Sequence, residues 1–246
     1  MNRRLTAAIG AIAIAGATIL VWSPWATGAP HSTSACGTTY APALDPADFV
    51  SVIDNPYFPL PVGRKLVYRG VKDGQTQKDV VTVTARKKVI LGISTTVVHD
   101  RATHAGKPLE DTFDFYAQAK DGTVWYLGED TTAYLPNGKT DTSGSFTAGV
   151  HGAQPGIIME AHPRIPDAYR QECAAGEAED TAWVVGRSGA VHVPYGKVRH
   201  VLDTLEATRI EPGSYDKKVY GPGLGIVSER ALTGDPEIAK LVSVSG

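Results

Sequence analysis

The sequence predicts an all-β protein, mainly antiparallel, whose meander closes as a barrel or curls as a half-barrel. Two observations predict it. Short runs rich in Val, Ile, Thr and Tyr recur along the chain, and turn signals separate them about every 8–12 residues. Strands are expected over 65–70, 79–86, 93–101, 109–119, 123–129, 169–173, 182–186, 197–208, 217–220, 225–231 and 239–244. The turns between them include Asp73-Gly74, Ala105-Gly106, Asp121-Gly122, Asn137-Gly138 and Pro222-Gly223. A two-sheet β-sandwich is the second arrangement this pattern allows.

Each remaining segment has its own character. Arg3 and Arg4 precede an uncharged apolar run from Leu5 to Trp22, and small residues follow. That order reads as a signal peptide or an N-terminal anchor over 1–29, and it places the protein outside the cytoplasm. The apolar run is close to the length of a short membrane span, roughly 18 residues. It is the one expected route to a membrane. Residues 30–45, rich in Pro, Ser, Thr and Ala, read as a linker, and 46–246 as a single domain. Asp45 to Val52 is expected to form one short helix. Prolines in Asn55–Gly63 fix an extended lead-in. The Gly-, Pro- and Ser-rich stretch 136–168 reads as a long loop, and such loops often serve function.

Composition excludes some classes. Without Arg3 and Arg4 the chain holds 22 Lys and Arg against 26 Asp and Glu, a net charge of −4. A nucleic-acid binder would need a basic stripe instead. The only two cysteines, Cys36 and Cys173, are expected to form one disulfide in an oxidising compartment. No nucleophile elbow, phosphate loop, dinucleotide fingerprint or HExxH zinc motif is present.

Three stretches carry a resemblance: Asn55-Pro-Tyr-Phe-Pro-Leu-Pro-Val-Gly63, Phe115–Asp130 and Tyr220-Gly-Pro-Gly-Leu-Gly-Ile-Val227. They resemble a group of bacterial exported proteins of unknown function, from about residue 50 onward. More loosely, the chain looks like the half-barrel envelope carriers related to lipoprotein-localisation factors. The resemblance implies a fold and a location, and no chemistry.

The candidate site comes from strand pairing. A two-residue Asp121-Gly122 turn would set Gln118 opposite Trp125, Tyr116 opposite Leu127 and Asp114 opposite Glu129. The turn at Ala105-Gly106 would set Arg101 opposite Glu110 and His99 opposite Thr112. One face would then hold His99, Arg101, Glu110, Asp114, Tyr116, Gln118, Trp125 and Glu129. Phe113, Phe115, Ala117, Val124 and Tyr126 would take the core face, with Asp100 as a blemish at the sheet's end.

Asp114 opposite Glu129 is the unusual pair, because opposed strand residues have Cβ atoms about 4.5–5.5 Å apart. A shared Ca²⁺, a protonated carboxyl, or an intervening His99 or Arg101 would relieve the repulsion. The plain alternative is a solvated face that carries charges. Trp125 and Tyr116 among the charges favour a covered surface instead.

Three functions follow. The first is binding of a glycan or small amphiphile, with Trp125, Tyr116, Gln118, Arg101 and Glu110 as contacts. The second is acid–base catalysis on a carbohydrate by Asp114 and Glu129, with His99. The third is a structural or partner-binding domain. Glu160, His162, His151 and Arg170 are weaker candidates, and His192 and His200 read as structural.

Overall fold

The computed structural model describes residues 40–72 and 74–246. The expected leader, most of the linker, Asp73 and Cys36 lie outside the described residues, so the Cys36–Cys173 pairing does too. Cys173 itself is fully buried.

Asp45 caps a single 3-10 turn at Pro46–Asp48 by accepting from Ala47 N at 2.9 Å. The expected longer helix does not form. Phe49–Val50 (β1) pairs instead with the end of a later strand. The long strands are Lys65–Lys72 (β2), Gln75–Ile90 (β3), Ile93–His104 (β4), Lys107–Ala119 (β5) and Val124–Tyr134 (β6). Short ones follow at Thr140–Asp141 (β7), Phe146–Thr147 (β8), Gly156–Met159 (β9) and Ala168–Arg170 (β10). The second half holds Asp180–Val193 (β11), Gly196–Thr208 (β12), Tyr215–Gly221 (β13), Gly225–Ala231 (β14) and Glu237–Ser245 (β15). Every expected strand is present, most of them longer than expected.

All fifteen strands of the described residues belong to one antiparallel sheet, whose main path runs β10-β11-β12-β13-β14-β15-β2-β3-β4-β5-β6-β7. β8 and β9 also pair with β6. The stretch expected as a long loop thus extends the sheet. The sheet is open but strongly curled. An isolated bridge from Gln154 to Cys173 brings its two ends together.

The curl has two apolar sides. Inside, side chains from nearly every long strand meet, among them Leu66, Tyr68, Val98, Tyr116, Tyr126, Val184, Leu202, Tyr220 and Leu241. Outside, Ile90, Ile93, Val97, Phe115, Ala117 and Leu127 form a smaller cluster, covered by Leu44, Phe49, Phe113 and Trp125.

Two bulges flank β5 and decide which residues face inward. The β4–β5 turn has the expected two residues, with His104 opposite Lys107. Pro108 follows at once and has no N–H for the ladder. The register shifts there, and Ala102 rather than Arg101 faces Glu110. A one-residue slip turns every later side chain to the other face. His99 and Arg101 therefore point outward with Phe113, while Val98 and Asp100 share the inner face with Asp114.

The β5–β6 turn differs from expectation. Ala119 N donates to Thr123 O, so the loop has three residues, Lys120, Asp121 and Gly122. Tyr116 then faces Tyr126 and Ala117 faces Trp125. A bulge at Leu127–Gly128 absorbs one more residue and returns Asp114 to face Glu129. The expected carboxyl pair is present, but Trp125 and Leu127 lie on the outer side.

Gly128 permits this bulge. Its φ is 140°, and a Cβ there would strike the Phe146 carbonyl and lie 2.9 Å from Thr147 Cα. Gly128→Ala is expected to destabilise the fold by about 2–4 kcal/mol, lowering the melting temperature by roughly 5–15 °C. Circular-dichroism melting checks this, and an unchanged temperature would contradict the bulge.

Candidate ligand pocket

The inner face carries far more carboxyls than a core normally holds. Asp79, Asp100, Glu110, Asp114, Glu129, Glu172, Glu206 and Glu229 are all buried there. Only one buried cation, Lys218, is present among the described residues. Its Nζ lies 2.8 Å from Glu206 Oε2 and 3.6 Å from Glu229 Oε1. Thr204 and Tyr220 hydroxyls donate to Glu206 Oε1 at 2.7 and 3.2 Å. Burial opposes the ammonium charge, but the carboxylates outweigh it and hold Lys218 well above the usual lysine range.

Asp100, Glu129 and Glu172 lack such partners. The Tyr126 hydroxyl donates to Asp114 Oδ1 at 2.7 Å. Its one proton is thereby used, and neither oxygen of Glu129 has a hydrogen-bond partner. Both oxygens of Asp100 and of Glu172 are unpartnered as well. An ionised carboxylate in that state is costly, so the group takes a proton instead. Burial first, then the neighbouring Asp114 and Glu110, push Glu129 well above the usual range. Burial, then Asp79 and Asp114, do the same for Asp100. Burial raises Asp114 to about 6, against the hydrogen bonds from Tyr126 and Tyr116. Asp79 rises to about 7 through burial and Glu237, and Glu229 to about 8 through burial.

One pocket opens onto this acidic interior. It spans about 490 Å³, counting the part open to solvent. Its walls come from the lead-in (Phe58, Pro59, Leu60), β2 (Leu66, Tyr68), β3 and β4 (Val81, Val98), and the β13–β14 turn region (Leu224, Gly225, Ile226). Asp100, Asp114 and Tyr116 complete it. Asn55 fixes the lead-in at this place. Its Nδ2 donates to the Gly122 and Glu160 carbonyls at 2.9 and 3.1 Å, and its Oδ1 accepts from Tyr57 N at 2.9 Å. Arg64 ties the lead-in to the β13–β14 turn, donating through Nη1 to Pro59 O at 3.4 Å and Gly223 O at 2.9 Å.

The residues expected as one site are divided by the sheet. Asp114 and Tyr116 line the pocket, and Glu129 and Glu110 are buried on the same face. Gln118 is also inward, but it is committed to the lead-in. Its Oε1 accepts from Asp54 N and Asn55 N, each at 2.9 Å, and its Nε2 donates to Asp54 Oδ1 at 2.7 Å. His99, Arg101 and Trp125 lie on the other side, so neither His99 nor Arg101 bridges the carboxyl pair. His99 instead stacks on Phe113 at 4.4 Å, with Nε2 2.9 Å from Asp111 Oδ1. Arg101 Nε lies 3.7 Å from that same oxygen. Among the described residues, no group of three or more His, Cys, Asp or Glu is arranged to hold a metal ion. His151, His162, His192 and His200 are exposed.

Asp100, Tyr126, Lys218 and the apolar lining were missed as site residues. The lining was nevertheless marked. Phe58 to Leu60 and Leu224 to Ile226 fall within two of the three stretches that carried the family resemblance.

The sequence matches no protein-family model and no curated protein. Two solved structures are similar in shape. One is a protein assigned as exported, with a YmcC-like fold, from Bacteroides fragilis: 15% identity, TM-score 0.44, covering 77% of this chain and 99% of that one. The other is a protein assigned as a lipoprotein from Parabacteroides distasonis: 9% identity, TM-score 0.42, covering 78% and 99%. At these values the likeness bears on neither the pocket nor its chemistry.

The raised carboxyls have a consequence for stability. An acid with a higher pKa folded than unfolded binds more protons in the native state. Its native state is therefore favoured at low pH, and that advantage is lost as pH rises from the unfolded value near 4 through the folded one. With Asp114 at about 6, Asp79 at about 7 and Glu229 at about 8, stability should fall between pH 5 and pH 8. Glu129→Gln should raise the melting temperature at pH 8 by more than at pH 5. Melting curves across that range check both, and a stability maximum at pH 8 in the parent protein would contradict the buried-acid assignment.

Proposed function

We propose that this is an extracytoplasmic binding protein whose half-barrel takes up a small molecule with an apolar body. The observation that carries this reading is the pocket itself. It is walled by Phe58, Leu60, Leu66, Val81, Val98, Leu224 and Ile226, with Asp100 and Asp114 as its acidic groups. A mainly apolar concavity with few convergent polar groups is the usual form of a small-molecule site.

Two observations favour an amphiphile over a glycan. The apolar lining offers a sugar few hydrogen-bonding groups. Trp125, the ring expected to stack on a sugar, is on the outer side packed against Phe115 and its neighbours. Acid–base catalysis draws less support. Asp114 lines the pocket, but Glu129 is fully buried behind it. The extracytoplasmic location rests on the basic, apolar, small-residue order of residues 1–29.

Two measurements test the reading. A neutral apolar fluorophore such as N-phenyl-1-naphthylamine should brighten on binding. Leu224→Trp, which fills the pocket, should weaken that binding at least about tenfold, the scale of one lost apolar side-chain contact. Equal binding by both proteins would place the fluorophore elsewhere and remove the support for the pocket. For location, cell fractionation should recover the protein outside the cytoplasm. Recovery in the cytoplasmic fraction would refute that part.

A further inference from the structure

Every polar side chain that reaches the pocket is an acid or a tyrosine. Asp100 is 1% exposed and both of its oxygens lack a partner. Asp114 shares the pocket and has one oxygen engaged by Tyr126. No Lys, Arg or His lines the cavity. The cations nearest in the fold are occupied. Lys218 serves Glu206 and Glu229, Lys72 pairs with Glu237 at 3.1 Å, and Arg64 spans the lead-in and the β13–β14 turn.

Aromatic rings surround the same space. Phe58, Tyr68 and Tyr116 all line the pocket, and Phe58 meets Tyr116 edge-on with centroids 5.1 Å apart. The Tyr68 hydroxyl donates to Ile226 O at 2.8 Å, which fixes its ring in the wall. Ring faces attract cations, and they attract alkylated ammonium groups best where water is excluded. Rings combined with carboxyls suit an ammonium group. An anionic head would meet only repulsion and desolvation there. A neutral head would leave the Asp100 oxygens with little to pair with.

We propose that the pocket selects amphiphiles with an alkylammonium head, held between Asp100 and Asp114 and the rings of Phe58, Tyr68 and Tyr116, with the apolar tail along Leu60, Leu66 and Ile226. This rests on the reading of the half-barrel as a ligand-binding protein. The groups facing the two acids from the packed elements are Asp79, Glu110, Glu129, Glu172, Glu229 and Lys218. An ammonium head supplies the counter-charge that Asp100 and Asp114 need to ionise, so its binding releases their protons.

The test compares three probes with one tail and different heads: octyltrimethylammonium, octan-1-ol and octanoate. Affinities are measured by calorimetry on the folded domain at pH 7.5. The ammonium probe should bind at least about tenfold tighter than the alcohol, on the scale of a desolvated cation–ring contact, and octanoate should bind weakest. Asp100→Asn with Asp114→Asn should reduce the ammonium-to-alcohol ratio to near one. Both changes are isosteric, and melting curves verify folding. Asp100→Asn alone should lower the ratio as well. Equal or tighter binding of the alcohol or octanoate would overturn the head-group assignment and leave the apolar pocket standing. Failure of all three probes to bind would overturn both. Ammonium binding unaffected by Leu224→Trp would place it outside the pocket and also overturn the proposal.

Discussion

The parity of β5 relative to its two neighbours is the constraint on which the rest of the structure depends. A strand alternates its side chains between two faces, so each bulge reassigns everything beyond it. Two bulges flank β5, one beside Pro108 and one at Leu127–Gly128. Together they turn Asp100, Asp114 and Glu129 into the curl and His99, Arg101 and Trp125 out of it. Without the first, His99 would sit beside Asp114 as a counter-charge. With it, the interior keeps its acids and loses its nearest bases.

That assignment explains the electrostatic character of the interior. A buried carboxylate needs a cation, strong hydrogen bonds or a proton. Glu206 has the first two, from Lys218, Thr204 and Tyr220. Asp114 has Tyr126. Glu129, Glu172 and Asp100 have neither, and a proton is the remaining way to remove their charge. An interior of neutral acids is thus maintained by apolar packing around it. It becomes costly to maintain when the acids ionise.

Much of the fold was legible in the sequence because strand existence is a local property. β-branched runs and Gly-bearing turns located every long strand from β2 to β15. The sites were less legible because face assignment is cumulative. Asp114 opposite Glu129 came out as expected only because two departures cancelled: a three-residue loop in place of two, then an extra residue at Gly128. The β4–β5 slip had no compensation, so His99 and Arg101 were placed on the wrong side. Its signal was Pro108, one residue before the strand start expected at Leu109 and set within a ladder it could not join. Lys218 with Glu206 and Glu229 was not legible. Three strands had to be placed side by side before one ammonium could be seen to serve both acids. The short strands β7, β8 and β9 were also hidden, since β6 rather than their own composition recruits them.

The position of β15 has a consequence for how the chain reaches its native state. This strand is the last in the sequence, yet it lies in the middle of the sheet, hydrogen-bonded to β14 on one side and to β2 on the other. The two halves of the meander are therefore joined by residues 237–245, some 165–180 positions away from their partners 65–72. Pairings that distant in sequence form late and slowly. Until residues 237–245 dock, the two halves lack the hydrogen-bonded seam between them.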